Sequence, residues 1–261
     1  MRLASILNEG RSQQISLKRA LDILDKKCQQ SIHQNWRIYR GVNTNYDIYY
    51  VDPRGKERFS SYAQHNYYNL FLSNAGSWEK YPKRNQSLVG STKNNDASPF
   101  GEVFLLFPED GAKIGVCPMR DIWDSFYNVA LPFDALNEYI DILVGAANED
   151  EPRTWQQMLN VFESIDNQKD QIETKLINSS SIYTFFTHKV KYFRKNVTLL
   201  QALEIALAPA KNNFVLSKAG HQIPSNINND GNEVWTDSPA IMYPTLPQDL
   251  DILIKRYGIT L

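Results

Sequence analysis

The chain has 261 residues, of which 42% are hydrophobic and 22% charged, so it can bury one large core and does not belong to the disordered class. A formal net charge of -1 gives no overall attraction to nucleic acid or to an anionic membrane, so a charged partner must be recognised by a local patch. No apolar run approaches the roughly 20 residues that span a bilayer, and the first residues lack the apolar core of a secretion signal. These features predict a soluble protein without membrane contact.

Cysteine and histidine usage argues against a metal site. Cys28 and Cys117 are the two cysteines of the sequence, which are too few to form a structural metal site alone and are typical of free thiols in a reducing compartment. The histidines are scattered without the spacing of a zinc motif: His33, His65, His188 and His221. We therefore predict no metal ion.

Residues 1–11 form a short amphipathic segment that contains Leu7-Asn8-Glu9-Gly10. This segment resembles the head-targeting propeptides of proteins packaged in large tailed bacteriophages. Their maturation protease cuts after Glu in a motif of Leu or Ile, any residue, Glu and a small residue. The resemblance implies that residues 1–9 are removed and that the protein occurs in the phage virion and the host cytoplasm. The alternative is a frayed first helical turn.

The next segments predict a helix, a strand and a loop. Ser16 is placed to cap a helix whose apolar residues recur at helical spacing, namely Leu17, Ala20, Leu21, Leu24 and Cys28. Alternating polarity predicts a strand over residues 36–42. Residues 43–58 are predicted as a loop that turns at Asp52-Pro53-Arg54-Gly55.

The middle of the chain predicts a sheet and then a helical insert. A helix is expected over 60–72, loops over 76–85 and 93–101, and a strand over 87–92. The apolar run 102–107, the turn 108–111 and the segment 112–117 are typical of a hairpin. Helical periodicity then follows, with four predicted helices at 133–147, 153–177, 181–193 and 198–207.

The last of these helices has a capping box in Thr198 and Gln201, and Pro209 is expected to end it. Residues 183–195 mix aromatic and cationic side chains, which leaves RNA or an acidic protein open as a partner, although a solvated amphipathic helix is the favoured interpretation. Residues 211–232 are predicted as a linker. A last strand over 233–236 and a short terminal helix over 246–257 complete the chain.

Three short β-prone segments each contain a polar residue of a kind that is uncommon in buried strands. They are Tyr39-Arg40-Gly41, Ser91-Thr92 and Glu233-Val234. In that order they resemble the arginine, serine and glutamate motifs of the ADP-ribosyltransferase family. The resemblance implies a mixed α/β (α+β) fold with a split antiparallel β core around a cleft for NAD. The core would comprise 10–127 and 212–261, with a helical insert at 128–211.

The same resemblance implies a role for each motif residue. Transfer of ADP-ribose passes through an oxocarbenium-like state, which needs a carboxylate near the ribose and a cation on the pyrophosphate. Glu233 corresponds to the catalytic carboxylate and Arg40 to the cation. Ser91 would hold the glutamate and the ribose, while Gly41 and Thr92 would join Arg40 and Ser91 in binding NAD. NAD is thus the implied substrate.

Several alternatives stay open on the sequence alone. Glu102 has a local sequence similar to that of Glu233, but the predicted strand pair between the serine and glutamate motifs favours Glu233. Gly231 stands where arginine-modifying members carry Glu or Gln, and Lys93 stands where the serine motif has a third hydroxyl residue. The acceptor is therefore open, with a host protein as the expected class. An NAD glycohydrolase and a non-enzymatic internal virion protein are the alternative functions.

Overall fold

The computed structural model describes residues 11–55, 67–122, 124–126, 133–194, 196–222 and 231–259. The described residues form a mixed α/β structure that divides into two compact units. The first unit draws on 11–55, 81–121, 214–222 and 231–259, and the second on 67–80, 122, 124–126, 133–194 and 196–213.

The first unit is built on an antiparallel sheet that has nine strands within the described part of the chain. The strands are β1 (Arg11–Gln14), β2 (Ile38–Val42), β3 (Tyr49–Asp52), β4 (Leu88–Ser91), β5 (Glu102–Pro108), β6 (Lys113–Val116), β7 (Val215–Lys218), β8 (Glu233–Thr236) and β9 (Ala240–Pro244). Their order across the sheet is β1-β3-β9-β5-β2-β4-β8-β6-β7. Every pair of neighbours is antiparallel.

Ten α-helices lie in the described residues. They are α1 (Leu17–Lys27), α2 (Gln29–His33), α3 (Tyr67–Asn74), α4 (Asn94–Ala97), α5 (Phe133–Ala146), α6 (Trp155–Asn167), α7 (Lys169–Leu176), α8 (Ser180–Thr184), α9 (Leu199–Ala206) and α10 (Pro247–Tyr257). Helices α1, α2, α4 and α10 belong to the first unit, and the other six to the second.

The central strands of the sheet are buried on both faces. One core cluster contains Ile38, Phe104 and Met242, and a second contains Leu105 and Ile241 together with side chains of α1 and α10. Because successive strand residues point to opposite faces, β5 and β9 must be apolar at consecutive positions. This explains their uninterrupted hydrophobic sequences.

The predicted hairpin of 102–107 with 112–117 is wrong. β5 pairs with β2 and β9, whereas β6 pairs with β7 and β8. Both edges of β5 are therefore occupied by other strands. A short turn shows only that two apolar segments are close in the sequence. For a strand that is buried on both faces, the pairing is decided by the strands that complete the core.

Four strands were missed by the sequence patterns, and one of them is β1, which lies where no strand was predicted. β3 lies inside the predicted loop 43–58, β7 lies inside the predicted linker 211–232, and β9 follows the strand 233–236 that was predicted to be the last. β3 and β7 have four residues each, which is too short to show a clear alternation. The predicted loop 93–101 also contains α4 and a 3₁₀-helix.

Several helix predictions are confirmed. Ser16 accepts a hydrogen bond from the Arg19 backbone at 3.3 Å and caps α1, and the capping box of Thr198 and Gln201 begins α9. The predicted helix 153–177 is divided into α6 and α7 at Gln168, and 181–193 contains a π-helix after α8. Residues 1–10 and 56–66, which include the predicted propeptide and the start of the helix 60–72, lie outside the described residues.

Two further findings concern the cysteines and the possibility of a helix that spans a membrane. Cys28 and Cys117 are free thiols, and both are buried. Where the chain is described, its helices are too short or too polar to cross a bilayer.

Candidate functional site

Glu233 and Ser91 are direct neighbours across two paired strands. In the register of β4 with β8, Ser91 lies opposite Glu233, and on its other side Ser91 lies opposite Tyr39 of β2. Residues that face each other across antiparallel strands have Cβ atoms about 5 Å apart on the same face of the sheet. The strands β4 and β8 therefore bring these two residues together, with β2, the strand of Tyr39 and Arg40, beside them.

The Glu233 carboxylate is held by a buried guanidinium. Arg84 Nη2 lies 2.6 Å from Glu233 Oε1, and the two side chains are only 4% and 13% exposed. The Arg84 guanidinium also lies over the indole ring of Trp235, 5.6 Å from its centroid. A buried carboxylate needs such a partner because desolvation of an unpaired charge is costly.

The indole ring of Trp235 packs against the Arg84 guanidinium and is held by its own neighbours. Its Nε1 donates to the Pro82 carbonyl at 2.9 Å, and its ring stacks on Tyr81 with centroids 6.1 Å apart. A Cβ at Gly115 would lie 2.3 Å from atoms of the indole, so the ring fills the space that a side chain there would need. Burial raises the pKa of the Tyr81 phenol to about 12.

Arg84 has hydrogen-bonding capacity beyond its contact with Glu233. Its Nε and Nη1 atoms are buried and have no hydrogen-bond partner among the residues that the structure describes. Unsatisfied buried donors each cost about 1–3 kcal/mol, and the aromatic face of Trp235 compensates only part of that cost.

Ser91 links the strand pair to a second carboxylate. Its Oγ donates to Asp96 Oδ2 at 3.1 Å and accepts a bond from the Lys93 backbone at 3.1 Å. The other oxygen of Asp96 pairs with Arg120. The Ser91 hydroxyl is thus oriented by α4, the helix that carries Asp96.

Arg40 is nearly buried, with 6% of its surface exposed. Its Nη1 donates to the Val89 carbonyl of β4, and the register that places Tyr39 opposite Ser91 directs the Cβ of Arg40 to the other face of the sheet. The next residue, Gly41, passes so close to α4 that a Cβ there would lie 1.9 Å from the Ala97 carbonyl oxygen. The structure therefore places Arg40 on the strand beside Ser91, but on the face opposite Ser91 and Glu233.

Thr92 and the residues that flank Glu233 form a backbone frame. Thr92 N donates to the Asn232 carbonyl at 3.0 Å, and Thr92 Oγ1 accepts from Asn232 N at 2.9 Å. On the other side, Cys117 N donates to the Glu233 carbonyl at 2.8 Å, and Cys117 Sγ lies 3.9 Å from Glu233 Oε1. The frame fixes Glu233 at the start of β8.

Glu102 occupies a different place in the sheet. It lies at the start of β5 opposite Val42, and β2 separates its strand from the strand of Ser91. Of the two competing glutamates, Glu233 is therefore the one next to Ser91.

Sequence reasoning missed Arg84 and Asp96. Both lie in segments predicted as loops, and their contacts with Glu233 and Ser91 depend on how the strands are arranged in the sheet. A cation in a loop that precedes a β-prone segment is too common a pattern to identify such a partner. Among the described residues there is no group of three or more His, Cys, Asp or Glu side chains that could hold a metal ion.

The chain was compared with models of known protein families, with curated proteins and with solved structures, and none of these matched it.

Proposed function

We propose that this protein transfers ADP-ribose from NAD to a macromolecular acceptor and that its sheet is a split β core of the ADP-ribosyltransferase type. The observation that carries the proposal is the register of three adjacent strands. Ser91 lies opposite Glu233 on one side and opposite Tyr39, which precedes Arg40, on the other. Three segments that are distant in the sequence and resemble the three family motifs are thus neighbours in the sheet.

The surroundings of Glu233 suit the stabilisation of an oxocarbenium-like state. A carboxylate beside the ribose lowers the barrier because positive charge develops on the sugar as nicotinamide leaves. Arg84 and the backbone frame of Cys117 fix the position of this carboxylate, so little reorganisation is needed during the reaction. The low exposure of the Glu233 side chain strengthens its electrostatic effect.

NAD would be bound from β2 and β4. In the proposal, Ser91 orients the ribose, and Gly41 and Thr92 bring backbone close to the dinucleotide. The resemblance alone assigns Arg40 to the pyrophosphate, with which a guanidinium forms charge-assisted bonds, because the register directs its Cβ to the face opposite Ser91 and Glu233. NAD serves as a substrate, and no metal ion is part of the proposed reaction.

The acceptor is proposed to be a host protein, and the enzyme to be delivered by a phage particle. This part of the proposal is supported by the resemblance of Leu7-Asn8-Glu9-Gly10 to head-targeting propeptides. The protein would act in the host cytoplasm after release from the virion.

Incubation of the purified protein with labelled NAD and a bacterial lysate tests the proposed function. We expect free nicotinamide together with adenine-labelled protein bands. Nicotinamide release without labelled protein would instead indicate an NAD glycohydrolase. If neither product forms, the remaining alternative is a non-enzymatic internal virion protein.

A further inference from the structure

Residues 174–203 concentrate positive charge in the second unit. They contain four lysines and one arginine but no Asp or Glu, although the whole chain has 28 Lys and Arg residues against 29 Asp and Glu residues. We propose that a cationic patch in this segment, formed by His188, Lys189, Lys191 and Arg194, binds the phosphate backbone of nucleic acid without preference for its sequence. This inference goes beyond the proposed reaction with NAD and does not depend on it.

The segment that carries the cationic patch is not the regular amphipathic helix that its sequence favours. Helix α8 is followed by a π-helix over Phe185–Lys189, and the backbone then turns at Lys191, which has a φ of 64°. Nη2 of Arg194 donates to Nε2 of His188 at 3.3 Å, which closes residues 188–194 into a loop. The cations are therefore gathered on one loop and are not spread along a solvated helix.

Lys191 stands at a position where the backbone does not favour a lysine. Its positive φ lies in the left-handed region, which Gly and Asn adopt readily and in which a longer side chain is strained. Strain of this kind is a feature of functional positions, and π-helical turns such as the preceding one are also frequent there. Since the turn itself would form more easily with Gly or Asn, the contribution of Lys191 lies in its exposed ammonium group.

The charges of the cationic patch are not compensated within the unit. Its four side chains are exposed, and none of them forms an ion pair with another residue in the described part of the chain. Two carboxylates that contact the same segment accept hydrogen bonds from tyrosine hydroxyls, Asp166 from Tyr192 at 2.8 Å and Glu173 from Tyr183 at 3.2 Å. Neutral donors thus bind these carboxylates, and the cations stay available to an external anion.

The composition of the cationic patch favours a phosphate backbone over a protein partner. Protein interfaces depend on apolar or aromatic anchors at their centre. The large hydrophobic side chains of this segment are instead buried: Phe185, Phe186, Val190, Tyr192 and Phe193. Exposed cations without such an anchor match phosphates, which supply most of the affinity of nonspecific nucleic-acid binding. Because the buried rings cannot stack on bases, binding should not depend on the sequence.

Nucleic-acid binding by the full chain tests the proposal. Fluorescence anisotropy follows a short labelled DNA duplex, a DNA duplex of unrelated sequence and an RNA duplex, each at several salt concentrations. The wild type is compared with a patch variant that combines Lys189→Gln, Lys191→Asn and Arg194→Gln. All three side chains are exposed, and Asn suits the left-handed backbone at position 191, so the fold is expected to persist.

A control variant removes the same number of charges from α1 and combines Lys18→Gln, Arg19→Gln and Lys26→Gln. These side chains are also exposed, but α1 carries acidic residues as well, and Lys26 pairs with Asp22 at 2.6 Å. A general attraction between the cations of the protein and nucleic acid would respond equally to both variants. Urea unfolding of both variants verifies that they are folded.

We expect the wild type to bind both DNA sequences with equal affinity. The patch variant should bind at least about tenfold more weakly, which is the effect of one charge-assisted contact. Its slope of log affinity against log salt should be shallower by about 2–3, because each lost phosphate contact removes about 0.9. The control variant should keep the wild-type affinity and slope. If the patch variant does not fold, Lys189→Gln alone should still reduce the slope by about one.

Absence of binding by the wild type at low salt would overturn the inference, as would an equal loss in the patch and control variants or a preference for one DNA sequence. Patch-dependent binding of poly-L-glutamate in place of nucleic acid would also overturn it and would indicate an acidic protein as the partner. Binding of the DNA or the RNA duplex alone would support the phosphate contacts and identify the nucleic acid. These results are independent of nicotinamide release from NAD, which tests the proposed function separately.

Discussion

At the scale of single residues, the ion pair of Arg84 with Glu233 holds the candidate catalytic carboxylate in place. Both side chains are largely buried and lie 2.6 Å apart. Removal of one partner of a buried ion pair leaves the other charge uncompensated, which costs more than the pair itself contributes. The summed losses of stability in the two single variants should therefore exceed the loss in the variant that combines them.

We expect Arg84→Met to lower the free energy of unfolding by about 3 kcal/mol, because Met keeps much of the volume but leaves Glu233 unpaired. Adding Glu233→Gln should recover at least about 1 kcal/mol, a coupling typical of residues in contact. Urea unfolding of the wild type, both single variants and the double variant measures this cycle. Strictly additive effects would show that the ion pair does not hold Glu233.

The candidate site could be predicted only in part from the sequence. Ser91 and Glu233 were singled out by the resemblance of their short β-prone segments to the serine and glutamate motifs of a known family, and the register shows that they lie opposite each other. The partners Arg84 and Asp96 could not be recognised, since their contacts depend on strand order and leave no local pattern. The position of Arg40 on the opposite face likewise depends on a register of one residue.

At the scale of elements, Gly115 shows how β6 accommodates the site. Its neighbour across the ladder is Trp235, and an added Cβ would collide with the indole at 2.3 Å. We expect Gly115→Ala to lower the free energy of unfolding by about 1–3 kcal/mol, as overpacking of a core does, and to weaken the support of Arg84. Urea unfolding measures the loss of stability, and tryptophan fluorescence reports the change in the surroundings of Trp235.

Gly145 in α5 provides the matched control for this substitution. No atom lies within 4 Å of a Cβ added there, and Ala favours a helix by up to about 1 kcal/mol over Gly. Gly145→Ala should therefore leave the protein as stable as the wild type or slightly more stable. A Gly115→Ala variant as stable as the control would contradict the close packing of Trp235.

The junction of α1 and α2 contains a buried thiol that predicts a pH dependence of stability. Burial, with smaller contributions from Glu109 and Asp110, raises the pKa of Cys28 from 9.0 to about 12. Between these two values the unfolded thiol is ionised while the folded thiol stays protonated. Stability from this group is therefore complete below pH 9 and is lost as the pH rises toward 12.

Several buried tyrosines titrate in the same range, so a variant must isolate the contribution of Cys28. Above pH 9 the wild type should lose up to about 1.4 kcal/mol per pH unit more than Cys28→Ala does. Urea unfolding at a series of pH values from 8 to about 11 gives the two slopes. Identical slopes would mean that the Cys28 thiol ionises equally well in the folded protein.

The elements also show where local patterns are sufficient and where they fail. Caps and helical periodicity located α1, α9 and α10, since these signals depend on neighbouring residues. The partners of β5 and β6 were predicted wrongly, because strand pairing is decided by which faces must be buried. The four-residue strands β3 and β7 carried too little alternation to be recognised.

At the scale of the whole molecule, the proposed propeptide can be removed without loss of a described element. The strand β1 begins at Arg11, so a cut after Glu9 removes none of the described strands. We expect the protein in purified phage particles to begin at Gly10, as shown by mass spectrometry of its N-terminal peptide. A peptide that still begins at Met1 inside the head would contradict packaging with processing, and absence of the protein from particles would contradict packaging itself.

The central claim, that Glu233 is the catalytic carboxylate of an NAD-dependent transferase, is tested most directly by nicotinamide release. The assay compares the wild type with Glu233→Gln and with Glu102→Gln, which has the same chemical change on a strand that β2 separates from Ser91. We predict that Glu233→Gln lowers the rate at least about 100-fold, as loss of an electrostatic partner of the transition state does, while Glu102→Gln retains the wild-type rate. Undiminished release by Glu233→Gln, or loss of release only in Glu102→Gln, would contradict the account.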